Sequence, residues 1–236
     1  CLLSRGLGDV YKRQGTGRRH AGRPALTSVA MTTPRPASTD APLALHGLVL
    51  AGGASRRMGR DKAALVYETR PQLEVAFSLL QAQVQRCLVS VRADQQDDPL
   101  RARFPQLLDR HHDIGPAAGL LAAHASAPQA AWLVIACDLP GLEAATLRRL
   151  TAAFIPGDGA VAFRSAGDGL PEPLCALWAP PALQRLGRQV KGGHFGLRRA
   201  LDADDVRLLA PQAAQVLDNA NTPEDLARRR GEVRHG

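Results

Sequence analysis

Cysteine is scarce in this sequence, long apolar runs are missing, and the central stretch has no excess charge of either sign. Each shortage removes a class of protein. The four cysteines, Cys1, Cys87, Cys137 and Cys175, include no CxxC pair. That argues against a disulfide framework and against a cysteine-based zinc site, and it suits a reducing cytosol, so the expected location is cytoplasmic. The longest clean apolar run, Ala131 to Cys137, is far too short to span a bilayer, so no membrane partner is expected. No collagen-like or solenoid period occurs. What remains is 236 residues, 45% of them hydrophobic, which is enough for one globular domain with tails.

The formal net charge of +8 belongs to the ends of the chain. Residues 1–40 hold seven Lys/Arg against two Asp, and 228–236 hold four Arg against one Glu. Between them, residues 41–227 carry equal numbers of basic and acidic side chains. A nucleic-acid binder would carry its positive stripe on the folded surface, so no nucleic-acid partner is expected. Residues 1–30 show neither helical nor strand periodicity, and CLLSRGLGDVYKRQ resembles a translated sequencing adapter, with Met31 the expected start. A secretory or transit peptide is the rival reading, but its apolar segment is missing and Ser is sparse. Residues 31–42 are rich in Thr, Pro, Ala and Ser and cannot form a packed core. The expected organisation is a disordered, partly artefactual tail over 1–42, a domain over 43–227 and a basic tail over 228–236.

From residue 43, apolar runs alternate with helical patterns. Leu45 to Ala51 reads as a buried strand ending in a Gly-Gly turn. Leu73, Phe77, Leu80 and Val84 form one helical face. Cys87 to Val91 and Gln106 to Leu108 read as strands. Gly115-Pro116 opens a helix of small residues to about Ala127. Trp132 to Cys137 is the strongest strand, and Leu147, Leu150 and Phe154 give the next helix face. Ala160 to Phe163, Leu174 to Trp178 and Val206 to Leu209 read as strands, with a helix over His194 to Leu201. Thr222-Pro223-Glu224-Asp225 starts a final helix, with Thr as its cap. This alternation predicts an α/β fold with a mainly parallel sheet and helices on both faces. Ligands of such sheets sit beyond the carboxyl ends of the strands.

The segment from Leu50 and Ala51 through Gly52, Gly53, Ala54, Ser55, Arg56, Arg57, Met58, Gly59, Arg60, Asp61 and Lys62 follows the first strand. Glycines there let backbone N–H groups approach an anion, and Ser55 adds a hydroxyl donor. Arg57 and Lys62 neutralise a polyphosphate, Arg through its fork and Lys as a point charge. The spacing fits neither the Walker loop nor the dinucleotide GxGxxG. A plain glycine turn with solvated cations is the simpler alternative; the whole basic string favours phosphate.

This loop resembles the signature of nucleotidyltransferases related to the molybdenum cofactor guanylyltransferases. Gly115-Pro116-Ala117-Ala118-Gly119 resembles the family's GPLAG turn, and Cys137-Asp138-Leu139-Pro140 its CDxP metal motif. Glu172-Pro173-Leu174-Cys175-Ala176-Leu177 resembles its HPLxAL strand, with Glu where His is common. Asn219-Ala220-Asn221-Thr222-Pro223-Glu224-Asp225 resembles its NxNTPED end. The motifs keep the family's order over about residues 45–227. The resemblance implies a three-layer α/β/α Rossmann-like nucleotidyltransferase fold with a mainly parallel, partly mixed sheet. It also implies Mg²⁺, and GTP and molybdenum-molybdopterin as substrates, with pyrophosphate released. Other molybdenum cofactor biosynthesis proteins or molybdoenzyme chaperones are the implied further partners.

On this reading Leu50, Ala51, Gly52, Gly53, Ser55, Lys62, Ser90, Asp109 and Asp138 form the nucleotide site. Arg57, Lys62 and Asp138 act in catalysis, Asp138 holds the metal, and Asn219 and Asn221 face the pterin or the metal. Simpler structural roles stand beside these: a helix cap for Asp138, a turn for Asp109 and helix capping for the two Asn. Ser90 stands where the better-known guanylyl enzymes place a base-contacting Asn, which leaves cytidylyl transfer from CTP as the alternative. A non-catalytic nucleotide- or pterin-binding relative is the second alternative. His111 and His112 beside Asp113 lack a third ligand at a useful spacing and read as solvated loop. Lys191-Gly192-Gly193-His194 reads as an ordinary turn, and Cys137, Cys175, Trp132 and Trp178 as core. Removing residues 1–40 is expected to abolish any retention on immobilised DNA at moderate salt; retention that survives would revive the nucleic-acid reading.

Overall fold

Trp132 to Cys137, Ala160 to Phe163 and Leu174 to Trp178 are unbroken apolar runs, and such runs form only where both faces of a sheet are covered. The structure, a computed structural model, describes residues 43–52, 62–64, 66–67, 70–210 and 214–217. All of these lie in the unit 41–236. Strand β1 (Leu45–Leu50) leads to a short antiparallel pair, β2 (Val66–Tyr67) and β3 (Arg70–Pro71), and to helix α1 (Gln72–Gln81). Then follow β4 (Arg86–Val91), β5 (Gln106–Leu108), α2 (Ala117–Ser126), β6 (Ala131–Ala136) and α3 (Ala144–Ala153). The chain continues through β7 (Ala160–Arg164), β8 (Pro171–Trp178), α4 (Pro180–Lys191), α5 (Leu197–Ala200) and β9 (Val206–Leu209).

The main sheet has the order β5-β4-β1-β6-β8-β7-β9. β5, β4, β1 and β6 run parallel, β8 is antiparallel to both its neighbours, and β7 and β9 are parallel to each other. The sheet is mixed because the β7–β8 connection is too short for a crossover, which needs a dozen or more residues. It closes as a turn in which Ser165 N–H donates to Leu170 O at 2.8 Å.

Alternate side chains on each strand enter two cores. Val49, Val89, Leu133, Ile135, Val161, Phe163 and Leu177 pack with Leu73, Phe77 and Leu80 of α1 and Leu147 and Leu150 of α3. Leu48, Leu88, Trp132, Val134, Ala162 and Trp178 pack on the other side with α2, α4 and α5. The result is three layers, α/β/α, as expected.

Some boundaries differ from the sequence reading. Val84 and Phe154 lie just past the helices they were grouped with, though both still pack on the core. β8 begins at Pro171 rather than Leu174, and the helix expected over 194–201 is only Leu197–Ala200. Helix α4 was not anticipated. It tolerates Pro180 and Pro181 because first-turn N–H groups need no helical partner, and it buries Ala182, Leu183 and Leu186. No helix among the described residues is long and apolar enough to cross a membrane.

His46 on β1 and His124 on α2 are half-buried. His46 packs edge-on against Trp132 with ring centroids 5.0 Å apart. Burial, and then the charge of Arg86, hold its pKa below the ordinary 6.5, and burial does the same for His124. The unfolded chain therefore binds more protons than the folded one below pH 6.5. Stability is expected to be flat above that pH and to fall as pH drops through it. Denaturant unfolding between about pH 7.5 and about pH 5.5 checks this, and His124→Gln is expected to flatten the slope.

Candidate functional site

The parallel run β5-β4-β1-β6 brings four strand ends to one edge of the sheet, the edge where open α/β sheets bind ligands. From β1 come Ala51 and Gly52, from β4 Arg92, from beyond β5 Asp109, and from β6 Cys137 and Asp138. They surround a cleft of about 780 Å³, which Leu50, Ser90, Ala63 and Leu174 also line. The expected positions Leu50, Ala51, Gly52, Ser90, Asp109 and Asp138 thus share one cavity, although they span 89 positions of sequence. His111, His112 and Asp113, read from sequence as a solvated loop, are exposed and form part of the same rim. Asp113 has φ 59°, and Gly115 has the same φ, so the chain turns sharply into α2.

Ser90 is 1% exposed, and its hydroxyl donates to Asp109 Oδ1 at 2.7 Å. Burial pushes the Asp109 carboxyl above the ordinary aspartate value, while the Ser90 hydrogen bond and the Arg92 charge pull the other way. Its second oxygen, Oδ2, would lie 3.0 Å from a Cβ on Gly52, so Gly52 packs directly against this carboxylate. Helix α2 closes on the same spot. A Cβ on Gly119 would lie 2.4 Å from Ser90 Oγ and 2.7 Å from Leu50 Cδ2. The last glycine of the Gly-Pro-Ala-Ala-Gly sequence is therefore a contact requirement of helix against sheet.

Ala51 and Gly52, just past β1, are held by two arginines that the sequence pattern does not single out. Arg101 lies in a short 3-10 turn after β4, is 1% exposed, and donates from Nε and Nη2 to Ala51 O at 3.2 and 2.9 Å. Arg92 donates from Nη1 to Gly52 O at 2.7 Å and grips Asp94 with Nε and Nη2 at 2.9 and 2.8 Å. The segment between β4 and β5 has no apolar period, so only Asp98 and Arg101 at i, i+3 hinted at an organised turn.

Lys62 begins a 3-10 turn, Lys62–Ala64, whose Ala63 is buried and lines the cleft. Gly53, Ser55, Arg57, Asn219, Asn221 and the Thr222–Asp225 helix start lie outside the described residues. Glu172, in the position where the family favours His, pairs with Arg198 Nη2 at 3.1 Å, and Arg198 Nη1 holds Asp168 at 2.6 Å. Cys137 and Cys175 are buried, as the core reading expected, and so is Cys87; burial pushes Cys87 and Cys175 up to about 12. Among the described residues no three His, Cys, Asp or Glu side chains cluster as a metal cage.

A glycine turn and carboxylates at the carboxyl edge of such a sheet define a nucleotide-binding α/β protein. Comparison with known proteins narrows the class. Residues 47–213 match the MobA-like NTP transferase domain, and the chain belongs to this family of nucleotidyltransferases. It is 37% identical over 185 residues to a molybdenum cofactor biosynthesis bifunctional protein of Synechocystis; the match covers 77% of this chain and 52% of that protein. It is also 37% identical over 196 residues to a probable molybdenum cofactor guanylyltransferase of Opitutus terrae, covering 79% of this chain and 95% of the relative. Among solved structures, molybdopterin-guanine dinucleotide biosynthesis protein A of Archaeoglobus fulgidus shares the fold with a TM-score of 0.67 at 24% identity, covering 81% and 100% of the two chains.

Gly119→Ala is expected to cost about 1–3 kcal/mol in chemical denaturation, because helix and sheet must separate to admit the methyl group. Ser90→Gly in the same chain is expected to return part of that loss.

Proposed function

We propose that this chain transfers the GMP portion of GTP to the terminal phosphate of molybdenum-bound molybdopterin, forming the guanine dinucleotide cofactor and releasing pyrophosphate. The observation that carries the reading is the convergence of Gly52, Ser90, Asp109 and Asp138 on one cleft at the carboxyl edge. The choice of guanine rests on the guanylyltransferase name of the Opitutus relative, matched along 95% of its length. Cytidylyl transfer has no such support. Ser90 is engaged with Asp109, so in this chain it acts on the nucleotide site through that carboxylate.

The nucleophile is a phosphate oxygen that already carries negative charge, so no strong general base is needed. It forms a bond to the α-phosphorus as the bond to the β-phosphate oxygen breaks, and pyrophosphate leaves. The work of the protein is in-line positioning and charge neutralisation. The Gly52 turn, with Gly53 and Ser55, cradles the phosphates. Arg57 holds the β,γ end and Lys62 offsets charge at the α-phosphoryl group. Asn219 and Asn221 serve the pterin side.

The donor set suits Mg²⁺, which uses one or two carboxylates and completes its shell with water and substrate phosphates. Asp138, half-buried at the cleft, is the side chain that would hold it. When bound, the ion supplies charge screening for the triphosphate. The buried thiols of Cys87 and Cys175 suit a reducing cytoplasm as the place of work.

Asp138→Ala and Lys62→Ala are each expected to abolish formation of the dinucleotide cofactor while circular dichroism and Tm stay native. Near-normal turnover in either variant sinks its assignment. Calorimetry with GTP, CTP and ATP in Mg²⁺ is expected to show preference for GTP; preference for CTP would overturn the guanylyl reading.

A further inference from the structure

Just past the end of β1, two successive carbonyls are each taken by a guanidinium. The Ala51 carbonyl accepts from both Nε and Nη2 of Arg101, at 3.2 and 2.9 Å. The Gly52 carbonyl accepts from Arg92 Nη1 at 2.7 Å. Both arginines are themselves fixed. Arg101 Nη1 pairs with Asp98 Oδ1 at 3.2 Å, and the same oxygen accepts the Arg101 backbone N–H at 2.9 Å. Arg92 is clamped by both oxygens of Asp94, and its backbone N–H donates to Gln95 Oε1 at 3.3 Å.

Carbonyls at the end of a strand are ordinarily satisfied by water or by a neutral donor. Burying a guanidinium for that purpose is a costly solution, justified only where its charge or its rigid fork does something more. The peptide group supplies that something. It is planar, so anchoring the Ala51 carbonyl on Arg101 fixes the direction of the Gly52 N–H, which points the opposite way. Gly52 lines the cleft. The space around it leaves little room for adjustment: a Cβ there would meet Asp109 Oδ2 at 3.0 Å and the Arg92 backbone N at 3.7 Å.

We propose that Arg101 and Arg92 are positioning residues for the nucleotide. They lock the two carbonyls where β1 ends and present the Gly52 amide in one orientation. This inference rests on the cleft being the nucleotide site. It adds the β4–β5 segment, which carries both arginines, to the machinery of transfer.

The test is steady-state GMP transfer by the full chain with GTP varied, well below the unfolding temperature. The Arg92 side chain is 33% exposed, so its replacement leaves the core intact. Arg92→Met is expected to raise KM for GTP about tenfold and to lower kcat with it. Arg92→Lys is expected to recover part of the loss, since an ammonium can reach the carbonyl but lacks the fork that grips Asp94. Arg101→Lys is expected to act in the same direction; if it fails to fold, the Arg92 pair decides. A merely structural role would lower Tm and leave kcat and KM per folded molecule at wild-type values, and that result overturns the proposal. A wild-type chain that transfers no GMP overturns the function reading instead. Positioning is then read from calorimetry with inorganic tripolyphosphate, which Arg92→Met is expected to weaken about tenfold. Equal binding by both chains, or binding by neither, overturns it.

Discussion

Burial of β1 and β6 on both faces is the constraint on which the rest of the molecule depends. Leu48 and Val49 point to opposite cores and both are fully buried, as are Leu133, Val134 and Ile135. Neighbouring strands use the backbone groups, and helices cover the side chains. Within such strands there is no place for a polar group to face solvent, so chemistry is pushed to their ends. Because β5, β4, β1 and β6 are parallel, their carboxyl ends coincide, and Gly52, Arg92, Asp109 and Asp138 meet there.

The site is assembled against the preferences of a simple core. Asp109 is a half-buried carboxyl, Ser90 spends its hydroxyl on it, and Arg101 is a buried cation. Each group is tolerable only because the others are in place. Gly119 lets α2 approach Ser90, Ser90 steadies Asp109, and Asp109 packs against Gly52. The polar residues around the cleft form a mutually dependent set, which makes their geometry rigid without requiring any of them to be independently stabilising.

Much of the fold was readable because the signals were local. Trp132 to Cys137 is an apolar run with no alternation, and it could only be a strand covered on both sides. Leu73, Phe77 and Leu80 repeat at helical spacing, and all three reach the core. Helix α4 was harder: Pro180-Pro181 at its start looks like a breaker until the first turn is recognised, and Gly187 interrupts its interior. The direction of β8 was not in its own residues at all. It follows from the short connection after β7, which forbids a parallel return.

The candidate site divides in the same way. Sequence by itself determined the α/β class, the carboxylate that ends the most apolar strand, and the family to which the order of its motifs belongs. These are properties of neighbours along the chain: apolar spacing, turn chemistry and short motifs. Only the tertiary structure decided that Ser90 serves Asp109, that Gly119 exists to admit a serine hydroxyl, and that Arg92 and Arg101 hold the carbonyls of Gly52 and Ala51. Those pairings join residues 19 to 50 positions apart. A hydrogen bond across such a distance leaves no period in the sequence; it exists only once the sheet has placed its strand ends side by side.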